Sequence, residues 1–208
     1  MPGSFITLEG TEGVGKSTNV RFVADLLRSA GHDVVVTREP GGTELAEEIR
    51  AMLLGVRDEV MSDMTELLLI FAGRAQHLDN VIRPALEAGR WVVCDRFTDA
   101  TYAYQGGGRG FDEQTIAILE TLVQDELRPD LTLYLDVPVA VAADRIADRD
   151  HDRFEREEKP FFERVRTAYL AIAAREERFV IIDAAPDLAS VQRELTNKLN
   201  DYLASPHR

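Results

Sequence analysis

Short runs of apolar residues alternate with longer amphipathic stretches along this 208-residue chain. Phe5-Ile6-Thr7-Leu8 predicts a first strand. Val34-Val35-Val36, Trp91-Val92-Val93-Cys94, residues 131–137 and residues 179–182 predict four more. Between them, apolar positions recur at helical spacing over residues 16–30, 44–54, 63–86, 112–126, 139–148, 160–177 and 188–203. Gly31 is placed to stop the first of these helices, and Pro84 to bend the long third one. Strands that are apolar throughout and separated by helices predict an α/β fold, a parallel sheet covered on both faces. No repeat, linker or low-complexity tract breaks the pattern, so one domain over residues 1–208 is expected.

Composition changes this picture little, since 45% hydrophobic and 29% charged residues are ordinary for a soluble domain. The formal net charge of -13 matters more. It argues against nucleic-acid or anionic-membrane partners, which need a basic face. A small polyanion remains open, because arginines cluster locally at Arg145, Arg149, Arg153, Arg156, Arg164 and Arg166. No apolar run approaches the roughly 20 residues of a membrane span, and the first residues lack a basic region, so no secretory signal is expected. Cys94, the single cysteine, lies in an apolar run and reads as a small buried hydrophobe in a reducing, cytoplasmic setting.

The chemistry starts at Gly10-Thr11-Glu12-Gly13-Val14-Gly15-Lys16-Ser17, followed by Thr18. This stretch matches G-x-x-x-x-G-K-[ST] at every fixed position and sits between a predicted strand and helix, as a phosphate-binding loop must. Its glycines let successive N–H groups point at phosphate oxygens, Lys16 reaches the β/γ phosphates, and Ser17 offers a hydroxyl to Mg²⁺. ATP or GTP binding follows. A guanine-reading Asn-Lys-x-Asp element is missing, because in Asn197-Lys198-Leu199-Asn200-Asp201 the carboxylate comes one residue late.

Three further groups lie at strand ends or on helices. Thr37-Arg38-Glu39-Pro40-Gly41-Gly42-Thr43 puts an arginine at a strand's carboxyl end, where α/β sheets bind ligands, and Thr43 where it can cap a helix. Asp95-Arg96-Phe97 emerges on the same rim, with a carboxylate for Mg²⁺ and a guanidinium for phosphate; Asp136 is a rival for the metal. Phe71 and Arg74, three apart on one helix, can stack on a base and bond its carbonyl edge. Tyr104-Gln105-Gly106-Gly107-Gly108-Arg109-Gly110 reads as a mobile glycine loop.

Taken in order over residues 5–182, these motifs, with R-P-D-L-T-L-Y-L-D at residues 128–136, resemble the bacterial thymidylate kinases. The resemblance implies a P-loop kinase fold with a five-stranded parallel sheet, and phosphoryl transfer from ATP to dTMP. It implies Lys16 and Ser17 at the ATP phosphates and Mg²⁺, Asp95 near the metal, and Arg38 and Arg96 on the dTMP phosphate. Phe71 would stack on thymine and Arg74 bond its O4 edge. Thr101 and Gln105 would lie along the pyrimidine, and Tyr104 under the deoxyribose. A lid at about residues 146–157 would bring Arg149 or Arg153 to the transferring phosphoryl; it lacks the glycine of the family pattern and is one residue shorter. A homodimer packed through helices like that at residues 63–86 is also implied. Glu12 would accept a hydrogen bond from the deoxyribose 3′-hydroxyl, the alternative being a carboxylate paired with a nearby arginine. Two other readings stay open: a P-loop kinase with a different acceptor, and a nucleotide-binding module with little turnover.

Overall fold

The structure, a computed structural model, describes residues 3–148 and 151–205. Five parallel strands form one sheet in the order β2-β3-β1-β4-β5. β1 (Phe5–Glu9) lies at the centre, flanked by β3 (Trp91–Asp95) and β4 (Leu131–Asp136), with β2 (Val34–Arg38) and β5 (Phe179–Asp183) at the edges. β1 is buried throughout and β3 and β4 up to their last residue, whereas the edge strands expose alternate positions. Central strands covered on both faces must be apolar on both, hence their unbroken hydrophobic runs. The register sets Arg38 and Leu8 against Asp95, and Glu9 against Tyr134. The polar residues that close β1, β2, β3 and β4 therefore share one edge of the sheet. Strand order reverses beside β1, and that crevice is where ligands of such sheets bind.

Helices α1 (Lys16–Ser29) and α9 (Leu188–Ala204) cover one face, packing Val20, Val23, Leu27, Leu195 and Leu199 on Ile6, Leu8 and Leu133. Gly31, at φ 93, ends α1 by letting its N–H reach back to the Arg28 carbonyl at 2.9 Å. α2 (Glu44–Leu54) starts where expected, its N-terminus capped by the Thr43 hydroxyl at 3.1 Å from the Ala46 N–H.

The long helix expected over residues 63–86 is present as α3 (Asp63–His77), a widened π-helical turn (Leu78–Ile82) and α4 (Arg83–Glu87). The irregularity falls in the turn before Pro84, whose ring excludes the carbonyl four residues back. After β3 come α5 (Thr98–Thr101) and a second π-helical segment (Tyr102–Gly108). The glycine stretch is thus not a mobile loop. Ala103, Tyr104, Gln105 and Gly108 are buried against α8 (Lys159–Arg175). A Cβ on Gly107 would lie 2.6 Å from that of Ala168, so the glycine permits close helix approach rather than motion. α6 (Glu113–Gln124) packs on α3, and α7 (Val139–Asp144) is shorter than the pattern predicts.

Candidate active site

The glycine loop joins β1 to α1 and curls tightly. Gly13 sits at φ 77, and a Cβ there would meet the Ala142 carbonyl oxygen at 2.3 Å, so no other residue fits. Lys16 folds back along the loop, donating to the carbonyls of Gly10 at 3.0 Å and Thr11 at 2.6 Å. Burial, and then the positive charge of Arg96, push its pKa down to about 8. Ser17 Oγ stands 3.5 Å from Asp95 Oδ2, while Asp95 Oδ1 is buried and has no hydrogen-bond partner among the described residues.

These groups line a cleft of about 600 Å³ that runs from Gly13, Gly15 and Thr18 to Arg38, Arg50, Arg96 and Arg145. Arg38 is half exposed and held by Glu47 through two hydrogen bonds of 3.2 and 2.7 Å. Arg50, on α2, escaped the sequence reading. It donates to the Pro40 carbonyl at 2.8 Å, and burial and the nearby Arg38 charge lower its pKa. The available signal was its position three residues after Glu47, on the helix face turned to the cleft. Arg145 is tied to the carbonyls of Ala184 and Ala185, both at 2.9 Å. Concentrating these cations in one cleft costs electrostatic energy that a polyanion would recover.

Arg96 occupies the middle. Its backbone is left-handed, at φ 71, and the following N–H of Phe97 is fixed by the buried Glu9 carboxyl at 2.7 Å. Burial, and then Asp99, raise the Glu9 pKa to about 8. The Arg96 guanidinium lies 4.7 Å from the centre of the Tyr104 ring and donates to Glu12 Oε1 at 2.7 Å. Tyr104 donates to Glu12 Oε2 at 2.6 Å. Burial would raise the Glu12 pKa, but Arg96, Lys16 and Tyr104 together outweigh it and hold the carboxylate below its ordinary range.

A smaller pocket opens beside Arg96, lined by Glu39, Ile70, Arg74, Thr101, Tyr104, Gln105 and Phe154. Arg74 is 2% exposed. It donates through Nε to Glu39 at 2.7 Å and through Nη2 to Thr101 at 3.0 Å. Its Nη1 is buried with no partner among the described residues. A buried, unpaired guanidinium nitrogen is costly unless a ligand supplies an acceptor, such as a base carbonyl.

Comparison with known proteins bears on the same residues. The profile of the family described as thymidylate kinase matches residues 8–195. This chain belongs to the thymidylate kinase family. The thymidylate kinase of Pseudomonas entomophila is 61% identical over 197 residues, covering 94% of each chain. That of Alcanivorax borkumensis is 55% identical over 208 residues, covering 99% of this chain and all of its own. Among solved structures, the thymidylate kinase of Ehrlichia chaffeensis superposes with a TM-score of 0.77 at 33% identity, over 96% of this chain and 99% of its own.

Against the thymidylate kinase pattern, some expected side chains stand elsewhere. Phe71 does not line the small pocket. It is buried with Leu67 and Ile116 toward α6, under Arg74, whose guanidinium lies 4.8 Å from its ring centre. The α3 side chain lining the pocket is Ile70, one position earlier. Arg153 does not reach the phosphate cleft either. Its Nε donates to the Leu53 carbonyl at 2.6 Å and its Nη2 pairs with the buried Glu66 at 2.6 Å. A carboxylate buried in α3 needs cations, and Arg153 is one of two that supply them. Arg149, the other lid candidate, lies outside the described residues. The remaining expected residues all meet: Gly10 to Thr18 form the loop, Asp95 adjoins Ser17, and Arg38 and Arg96 share its cleft. Arg74, Thr101, Tyr104 and Gln105 share the pocket next to it.

Proposed function

We propose that this chain transfers the γ-phosphoryl group of ATP to dTMP, giving ADP and dTDP for dTTP synthesis. The observation that carries the reading is the junction at Arg96. On one side lies a phosphate loop with a cationic cleft, and on the other a pocket whose buried Arg74 Nη1 lacks an acceptor. A nucleotide whose phosphate meets Arg38, Arg50 and Arg96 while a base carbonyl meets Arg74 satisfies both. Lys16, released from the loop carbonyls, would bind the ATP phosphates with the N–H groups from Gly10 to Thr18. Gln105 and Thr101 would edge the base, Ile70 would meet it from α3 with Phe71 behind Arg74, and Tyr104 would pack under the sugar. The acceptor oxygen belongs to a phosphate already ionised, so no strong base is needed and positioning supplies most of the catalysis.

Mg²⁺ fits the residues present. Among the described residues no three His, Cys, Asp or Glu converge as a cage, which suits an ion held mostly by phosphates and water. The unpartnered Asp95 Oδ1 and the Ser17 hydroxyl would hold it, and the bound ion would neutralise charge on the β and γ oxygens. Residues 1–208 would act as one domain with a lid at residues 146–157; Asp152 and Glu155 line the cleft and Phe154 the pocket. No helix among the described residues is long and apolar enough to cross a membrane, and a cytoplasmic setting is part of the same proposal.

The deciding experiment measures ADP release with ATP against dTMP, dUMP, dCMP, AMP and thymidine, with and without Mg²⁺. Turnover led by dTMP and dependent on the ion is expected. Turnover led by AMP or thymidine would replace the acceptor, and no turnover would leave a nucleotide-binding module.

Glu12→Gln tests the loop carboxylate. It is expected to raise KM for dTMP about tenfold, the cost of one hydrogen bond to a charged group, with KM for ATP unchanged. Equal kinetics with both substrates would reduce Glu12 to an internal partner of Arg96 and Tyr104.

A homodimer is supported by exposed apolar positions one turn apart on two helices that pack side by side: Met64 and Leu68 on α3, Ile118 and Leu122 on α6. Light scattering is expected to give twice the 23.3 kDa chain mass, and Leu68→Glu to shift the population to monomer. A monomeric parent would end this reading.

A further inference from the structure

Among the described residues Glu66 is the least exposed carboxylate outside the sheet, and three stretches of chain meet on it. Its side chain is 1% exposed, on α3, one turn before Ile70 and two before Arg74. From the π-helical segment, Gln105 donates to Oε1 at 2.8 Å. From the residue after that segment, Arg109 donates through Nε to Oε1 and through Nη2 to Oε2, both at 3.2 Å. From the lid side, Arg153 Nη2 lies 2.6 Å from Oε2. Arg109 also donates to Glu157 at 2.5 Å, closing a second link to the same stretch of chain.

Two of these partners bear on the small pocket. Gln105 lines it directly. Arg153 stacks its guanidinium 4.4 Å from the centre of the Phe154 ring, and Phe154 is the side chain that walls the pocket on the lid side. The buried Gln105 amide needs an acceptor, which Glu66 supplies, and Phe154 stands on a short turn rather than a long helix. One buried carboxylate thus fixes both, at the cost of burying a charge that only the two arginines neutralise.

We propose that Glu66 is a positioning residue for the acceptor: it sets the Gln105 amide and, through Arg153, the Phe154 wall of the dTMP pocket. This rests on the reading of that pocket as the dTMP site. Arg153 accordingly acts on acceptor binding, through Phe154, and not on the transferring phosphoryl group. The donor cleft, lined from Gly13 to Thr18, contains none of Glu66, Arg109 or Arg153.

The experiment measures kcat, both KM values and the melting temperature of the full chain for Glu66→Gln, Arg153→Met and the double variant. Glu66→Gln is expected to raise KM for dTMP about tenfold while KM for ATP stays within twofold. Arg153→Met is expected to act in the same direction, with kcat within twofold. The double variant should fall well short of the product of the two, since both act through one contact. A purely structural role would lower the melting temperature and leave the two KM values unchanged or raised alike, and would overturn the proposal. So would a fall in kcat for Arg153→Met at unchanged KM for dTMP. If Glu66→Gln does not fold, Arg153→Met carries the same test alone, and an unchanged KM for dTMP there overturns it. Absence of dTMP turnover in the parent chain would instead overturn the functional reading, so the two failures are distinct.

Discussion

Arg96→Met is expected to lower kcat/KM for dTMP by about 10³, with KM for ATP changed only a few-fold. Removing one well-placed donor to developing charge typically costs 10²–10³, and Arg96 also contributes to ground-state binding of the acceptor phosphate. The fold should survive the change, because the turn is held by its backbone. The Arg96 N–H donates to the Leu8 carbonyl at 3.0 Å and Phe97 N–H to Glu9 at 2.7 Å, neither through the arginine side chain. A methionine tolerates the left-handed φ of 71 no better and no worse than arginine, so the backbone strain cancels between the two proteins.

What changes is electrostatic. Glu12 loses its 2.7 Å partner and keeps Tyr104, so its pKa rises toward the ordinary range. Lys16 loses the neighbouring positive charge that helps hold it near 8, so it binds its proton more firmly. Arg96→Lys separates charge from geometry: if the planar fork matters, lysine recovers little of the loss. Steady-state kinetics with each substrate varied separately checks this, alongside a thermal melt. A loss under tenfold in kcat/KM for dTMP, in a folded variant, would remove Arg96 from the acceptor phosphate.

The parts of this site that were legible in the sequence are those where spacing encodes backbone geometry. Gly10 to Ser17 could be read because a strand, a curled loop and a helix N-terminus leave few choices of residue. Arg38 and Asp95 could be read because the carboxyl ends of parallel strands share an edge. Ile70 stands on the pocket and Phe71 off it, although both, four and three residues before Arg74, are its neighbours on a helix. Which of them meets the pocket depends on where α6 packs, and α6 takes Phe71. Arg153 turns from the cleft to Glu66, which looks like any surface glutamate until α3 is seen to bury it. The glycines after Gln105 suggested mobility, yet the same lack of a side chain serves tight packing on α8, and only the tertiary contact distinguishes the two.

The second large effect is expected at Arg74, where stability and binding can be taken apart. Arg74→Met should lower stability by about 3–5 kcal/mol, since it strands the buried Glu39 carboxylate. Glu39 is 5% exposed and would keep only His77, whose Nδ1 lies 3.0 Å from it and whose Nε2 meets the Thr37 hydroxyl at 2.6 Å. The guanidinium also lies 5.1 Å from the centre of the Phe97 ring, a contact that methionine replaces only in part. KM for dTMP should rise at least a hundredfold, because a site built to hydrogen-bond a carbonyl loses its donor. The pairing with Glu39 makes the two losses separable. In Glu39→Leu combined with Arg74→Met no charge of the pair remains buried, and replacing both partners of a buried pair by apolar residues of similar volume is often near neutral. The double variant is therefore expected to regain most of the stability in urea melts while keeping the high KM for dTMP. If dTMP binding returned along with stability, Arg74 would be a structural cation and the partnerless Nη1 would have no bearing on the base. If the single variant melted like the parent, the Arg74–Glu39 pair would not carry the buried charge assigned to it.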